Sequence, residues 1–154
     1  MKTTLLMFLL LAIPALADPA AVSLSGAVVT PKNVSLADLA TMPSETATVS
    51  QQTDHGPVGG TYTGVTLWTL ISSAQWKNGP EKNAYLRHTI FVTAGSDGYT
   101  ASFSEGEIDP KLGGSHAMLT YKKDGAMLTA PQLVAPGDAH AARAVKGVTA
   151  VVVQ

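Results

Sequence analysis

The chain has 154 residues, with ten Lys and Arg against eleven Asp and Glu, four His and no Cys, giving a formal net charge of −1 at pH 7. A balance this close to neutral, without a basic tract, excludes tracking along a nucleic-acid backbone. The missing cysteines exclude thiolate metal sites, iron–sulfur clusters, thiol catalysis and disulfide bracing. Apolar residues make up 45% and charged residues 14%, the composition of a chain that buries a core rather than staying disordered.

In chain order, the first segment has the layout of a secretory signal peptide. Lys2 supplies the positive charge, Leu5 to Ile13 is an unbroken apolar run, and Ala15-Leu16-Ala17 forms a small-x-small cleavage site before Asp18. The run is too short to span a bilayer well. The expectation is a signal peptide over 1–17 and one domain over 18–154, periplasmic or secreted, with no stable membrane span after cleavage.

Alternation of Val22, Leu24, Gly26 and Val28 predicts a first strand, closed at Thr30-Pro31. Ser35 to Ala40 predicts a short helix with Ser35 as N-cap and Asp38 three positions on, stopped at Met42-Pro43. Thr46 to Gln52 predicts a second strand, and the glycine and proline density of Asp54 to Gly60 predicts a loop. Leu67, Leu70, Ile71 and Ala74 recur at i, i+3, i+4 and i+7, so Thr66 to Gln75 reads as a helix with Trp68 and Trp76 off its apolar stripe.

Thr89 to Thr93 and Tyr99 to Phe103 flank Asp97-Gly98 as a hairpin, and Ala117 to Tyr121 and Ala126 to Thr129 flank Lys122 to Gly125 as another. Gln132 to Ala135 and Val148 to Val153 complete about seven strands. With two or three short helices in irregular order, the pattern predicts an α+β fold rather than a repeated βαβ unit.

The segment Leu133 to Gly147 carries the most suggestive chemistry. A strand runs into the Pro136-Gly137 turn, small residues follow, and Arg143 and Lys146 stand three apart, near enough to converge on one anion. Arginine adds a planar fork for bidentate oxygen binding. The plainer alternative is a solvated turn with two surface charges. His55 and His140 sit in glycine-rich loops of the kind that supply sites, whereas His88 reads as the start of a strand and His116 as a loop residue. No two histidines share a local ligand spacing, so no metal site is predicted. Glu105, Glu107 and Asp109 read as acidic residues in the first turn of a short helix, and no serine has the Gly-x-Ser-x-Gly context of a hydrolase.

The stretch LVAPGDAHAARAVKG over 133–147 resembles the strand, V-x-P-G and G-A-R-x-V-K segment of sulfite-oxidase-type molybdopterin oxidoreductases. Thr61 to Trp68 is similar to that family's x-G-V-x-L lead-in to a helix, and Asp97 to Ser102 to its D-G-Y strand. The resemblance implies a sulfite-oxidase-like mixed β-sheet domain with short helices. It also implies that Arg143 and Lys146 contact the phosphate of a pterin cofactor; beside them the loop residues Gly137, His140 and His55 are the further candidates for binding it. Catalysis does not carry over, because the family's molybdenum is held by a cysteine thiolate and Ser50 to His55 contains none. Lys2-Thr3-Thr4 also lacks the twin arginine that export of a folded, loaded enzyme requires.

Three functions compete on these residues. The first is an exported noncatalytic domain that binds a small anionic or phosphate-bearing ligand. The second is a molybdopterin-dependent oxidoreductase, or a subunit of one, in which Asp54, His55 or water replaces the thiolate. The third is a periplasmic interaction protein that docks a partner through the Lys122-Lys123 hairpin or a sheet edge.

Overall fold

The computed structural model describes residues 20–77 and 88–154; the expected signal peptide lies outside the described residues. The first sheet is built from β1 (Val22–Gly26), β2 (Lys32–Val34), β5 (Thr89–Ala94), β6 (Thr100–Ser104) and β10 (Val148–Val153). Its spatial order is β2-β1-β10-β5-β6, with β1 and β10 parallel and the other pairs antiparallel. The second sheet is antiparallel throughout and contains β3 (Glu45–Thr53), β4 (Gly56–Thr66), β7 (Met118–Lys123), β8 (Ala126–Val134) and β9 (Val145–Lys146), in that order.

Among the described residues three short helices connect them: α1 (Leu36–Thr41), α2 (Leu67–Ser72) and α3 (Glu105–Ile108). Each begins on a hydroxyl side chain, Ser35, Thr66 or Ser104, that accepts a hydrogen bond from a first-turn backbone N–H left without a helical partner. In α1 the box is complete, because Asp38 in turn accepts from the Ser35 N–H at 2.9 Å. Helices of four to six residues make the molecule more β-rich than the expected α+β class. The 3.6-residue stripe of α2 continues to Ala74, but its regular turns stop at Ser72, where Ser73 takes over the Thr69 carbonyl.

Alternation decides which face of each strand is buried. Leu24, Ile90, Val92, Phe103, Val151 and Val153 of the first sheet meet Val65, Leu119, Leu133 and Val145 of the second in one cluster, joined by Leu67, Leu70 and Ile71 of α2. A smaller cluster of Val49, Tyr62, Met118 and Val134 lies on the second sheet's other face. That sheet curls: although β3 and β8 are not neighbours in it, Gln51 donates from Nε2 to the Ala135 carbonyl at 3.0 Å. The Gln52 N–H likewise reaches the Ala139 carbonyl at 2.9 Å. Gly64 permits the close approach within the sheet, since a Cβ there would stand 2.5 Å from the Leu119 carbonyl oxygen.

Two expectations change. The loop over Asp54 to Gly60 is mostly strand, because β4 begins at Gly56 and only Asp54-His55 turn the chain. Pro57 is tolerated there because that part of β4 pairs with β3 alone, β7 joining it only from Tyr62 onward. The strands expected over 126–129 and 132–135 are one strand, with Pro131 in the irregular stretch between the Met127 and Gln132 pairings. Lys122 and Lys123 consequently lie on β7, and the turn is Asp124-Gly125, both with positive φ.

Candidate functional site

The segment between β8 and β9 is the expected site. Gly137 has φ +98°, and beyond it Ala141–Arg143 form a single 3-10 turn. The turn is fixed on both sides. His140, just before it, bridges to Gln52 of β3, and the Tyr99 hydroxyl donates to the Ala142 carbonyl.

Arg143 points to carboxylates within the molecule. Its Nε and Nη2 donate to the two oxygens of Asp138 at 2.9 and 2.7 Å, and Nη1 donates to Glu107 Oε1 at 2.7 Å. The guanidinium carbon lies 4.4 Å from the centre of the Phe103 ring, a stacking arrangement that arginine favours. The bonds from Asp138, then those from Glu107, hold the guanidinium protonated well above its ordinary range, with burial acting in the opposite sense. Two carboxylates around one cation leave this cluster with a formal charge of −1. Sequence reading placed Glu107 correctly in a first helical turn but gave no sign of its long-range partner.

Lys146 goes elsewhere. It lies exposed on β9, lining two clefts on either side of Ala141 and Ala144. One, of about 410 Å³, is completed by Ser96, Asp97 and Tyr99. The other, of about 290 Å³, reaches Lys123 and Tyr62. A third cleft of about 240 Å³ is lined by His140, Gln52, Thr53, Asp54, Ala141 and Ala142. Arg143 lines none of the three. His55 is exposed on the β3–β4 turn, where its N–H donates to Thr53 Oγ1 at 3.2 Å. The structure thus gathers Lys146, His140 and Asp54 around one short turn, with Arg143 on the side facing α3.

The remaining histidines are paired with acids. His88 Nδ1 lies 2.6 Å from Glu105 Oε2 and His116 Nδ1 lies 2.7 Å from Glu45 Oε2. Burial raises the Glu105 carboxyl above its ordinary range, the His88 hydrogen bond opposes this, and the charge of Asp109 adds to it. Among the described residues no group of three or more His, Asp or Glu side chains is placed to hold a metal ion, and none of their helices is long and apolar enough to cross a membrane.

These residues do not fit a molybdenum pterin cofactor. The chain contains no thiolate, and the Gln51 side chain that stands in the corresponding strand is committed to the Ala135 carbonyl. The arginine expected at the phosphate already donates to Asp138 and Glu107.

No protein-family model and no curated protein matches the sequence. Among solved structures, the sulfane dehydrogenase SoxCD from Paracoccus pantotrophus is similar over 88% of this chain, with a TM-score of 0.69 and 20% identity. The match takes in 39% of that enzyme's chain, so this chain spans about two fifths of its length. This likeness gives the chain a sulfite-oxidase-like fold.

Proposed function

We propose that the chain is an exported, noncatalytic domain of sulfite-oxidase-like fold that binds a small anionic ligand beside the Ala141–Arg143 turn. The observation that carries this reading is the division of labour between the two cations of the loop. Arg143 is neutralised inside the molecule and braces the turn, while Lys146 lines the clefts next to it. An ammonium without a carboxylate partner, in a concave and partly apolar setting, attracts an anion more strongly than the same group on an open surface. His140 borders the neighbouring cleft, and Gly137 contributes the backbone turn rather than a contact.

The test is titration of the mature protein with phosphate, sulfate and carboxylate ligands, followed by Lys146→Gln. At least one anion binds the native protein, and the substitution weakens it tenfold or more. If no anion binds, or if Lys146→Gln leaves binding unchanged, the reading falls. Export is tested by N-terminal sequencing of protein recovered outside the cytoplasm, which starts at Asp18 if the signal is cleaved as expected.

One observation favours a second reading as an oxidoreductase-related subunit: the fold is similar to that of a sulfane dehydrogenase over 88% of this chain. Protein purified from its native compartment would then carry stoichiometric molybdenum and release a fluorescent pterin. Metal-free protein that still binds an anion through Lys146 rejects this reading and retains the first.

A further inference from the structure

The curl of the second sheet makes a mouth on the side away from the main core. Each of its five strands contributes: Thr53 from β3, Val58 and Tyr62 from β4, Lys123 from β7, Gln132 from β8 and Lys146 from β9, with Ala141 and Ala144 above them. The register explains the meeting. Tyr62 stands opposite Lys123 and Gln132 opposite Lys146, so each pair projects to the same face. A β-bulge between Thr120 and Lys122 shifts the alternation of β7, which brings Lys123 onto the face carrying Met118 and Thr120.

Charge and shape are both specific. Two ammonium groups line one concavity and no acidic side chain lines it. Among the described residues neither lysine is in an ion pair. The carboxylate next in sequence, Asp124, accepts from the Thr61 N–H at 2.8 Å. Lys123 Nζ sits 5.2 Å from the centre of the Tyr62 ring, which holds its stem along the wall. The remaining wall is Val58, the Tyr62 ring, Thr53 and two alanines, with the Gln132 amide as a neutral partner; the Thr53 hydroxyl donates to the Gly56 carbonyl. An apolar cavity of roughly 150 Å³ accommodates a benzene ring. The mouth measures about 290 Å³, enough for a ring or short chain together with an anionic head.

We infer that the mouth of the curled sheet binds a small amphipathic oxyanion, its head between Lys123 and Lys146 and its apolar body against Val58 and Tyr62. This rests on the reading above and deepens it, since Lys123 lies outside the loop that first suggested anion binding. Mostly apolar walls with a few placed polar groups are the usual make-up of a small-molecule site, and the mouth of a curved sheet is a usual location for one.

Titration calorimetry with phenyl phosphate, inorganic phosphate and phenol tests it. Phenyl phosphate binds at least tenfold more tightly than either of its parts. Lys123→Gln and Lys146→Gln each weaken it tenfold or more, Lys123→Arg retains most of the binding, and thermal unfolding confirms that each variant is folded. Equal affinity for inorganic and phenyl phosphate, or no binding of phenyl phosphate, overturns the inference. If Lys146→Gln weakens anion binding while Lys123→Gln does not, the loop reading stands and the two-lysine mouth is rejected. If neither variant changes binding, both fall.

Discussion

Asp138 holds Arg143 through both carboxylate oxygens, five residues along the same loop, while Glu107 of α3 accepts from the guanidinium's Nη1. A short-range fork and a long-range tether share one cation, so the loop is pinned both to itself and to the first sheet's side of the molecule. The arginine side chain is 32% exposed and that of Asp138 22%, between the buried pairs whose disruption costs several kcal/mol and the surface pairs that contribute almost nothing. Arg143→Ala is therefore expected to lower stability by about 1–3 kcal/mol, counting the acids left unpaired. Urea denaturation measures it, and a loss below roughly 0.5 kcal/mol would mark the cluster as an ordinary surface pair.

Glu105 gives the pH dependence a definite sign. Burial disfavours its ionised form and raises its pKa in the folded protein above 4.5, with the His88 hydrogen bond partly offsetting this. The folded state therefore holds the proton more tightly than the unfolded chain does. This contribution is fully present below the unfolded carboxyl range and is lost as pH rises through the raised folded value. Glu105→Gln, which cannot ionise, should flatten the fall in stability across this interval. Parallel slopes of denaturation midpoint against pH for the two proteins would refute it.

At Gly64 the main chain of β4 passes against that of β7, and an added methyl would meet the Thr120 Cα at 2.7 Å as well as the Leu119 carbonyl. Backbone cannot swing away as a side chain can. Gly64→Ala is expected to cost about 1–3 kcal/mol as overpacking. A variant as stable as the parent in chemical denaturation would mean that the sheet relaxes more freely than its packing suggests.

The capping box of α1 offers a smaller effect. Ser35→Ala removes the acceptor for the Asp38 N–H and should cost about 1 kcal/mol. The Asp38 carboxyl is held below its ordinary range first by the Ser35 backbone N–H and next by the Ser35 hydroxyl, and the substitution removes only the second. Its contribution is present above the unfolded carboxyl range and fades as pH falls through the lowered folded value. Thermal scans at neutral and acid pH check this: the difference between parent and Ser35→Ala should shrink in acid.

Local signals made much of this fold legible. The hairpin at Asp124-Gly125, the N-cap at Ser35 and the apolar stripe of Leu67, Leu70 and Ile71 all appear in the structure because neighbouring residues alone specify them. What misled was punctuation that tertiary pairing overrides: Pro57 and the glycines around it lie within β4, and Pro131 within β8. The short β9 was invisible because Val145-Lys146 is too brief to show a period, and only its pairing with Gln132 and Leu133 makes it a strand. At the candidate site, the turn at Pro136-Gly137 before Lys146 was readable from its residues. Two facts were not: Glu107, far along the chain, claims Arg143, and the Thr120 bulge brings Lys123 to the mouth where Lys146 lies. Both depend on contacts between distant segments, which a single sequence does not display.

The parallel pairing of β1 with β10 places side by side two segments from opposite extremes of the described chain. Contacts of such long sequence separation form slowly, since the entropy of closing the intervening loop must be overcome first. The second sheet, whose longest-range pairing is that of β4 with β7, can mature earlier. A newly made chain would therefore spend its longest-lived incomplete state with the first sheet divided and Leu24, Val151 and Val153 uncovered, a form open to capture by chaperones and to attack by proteases.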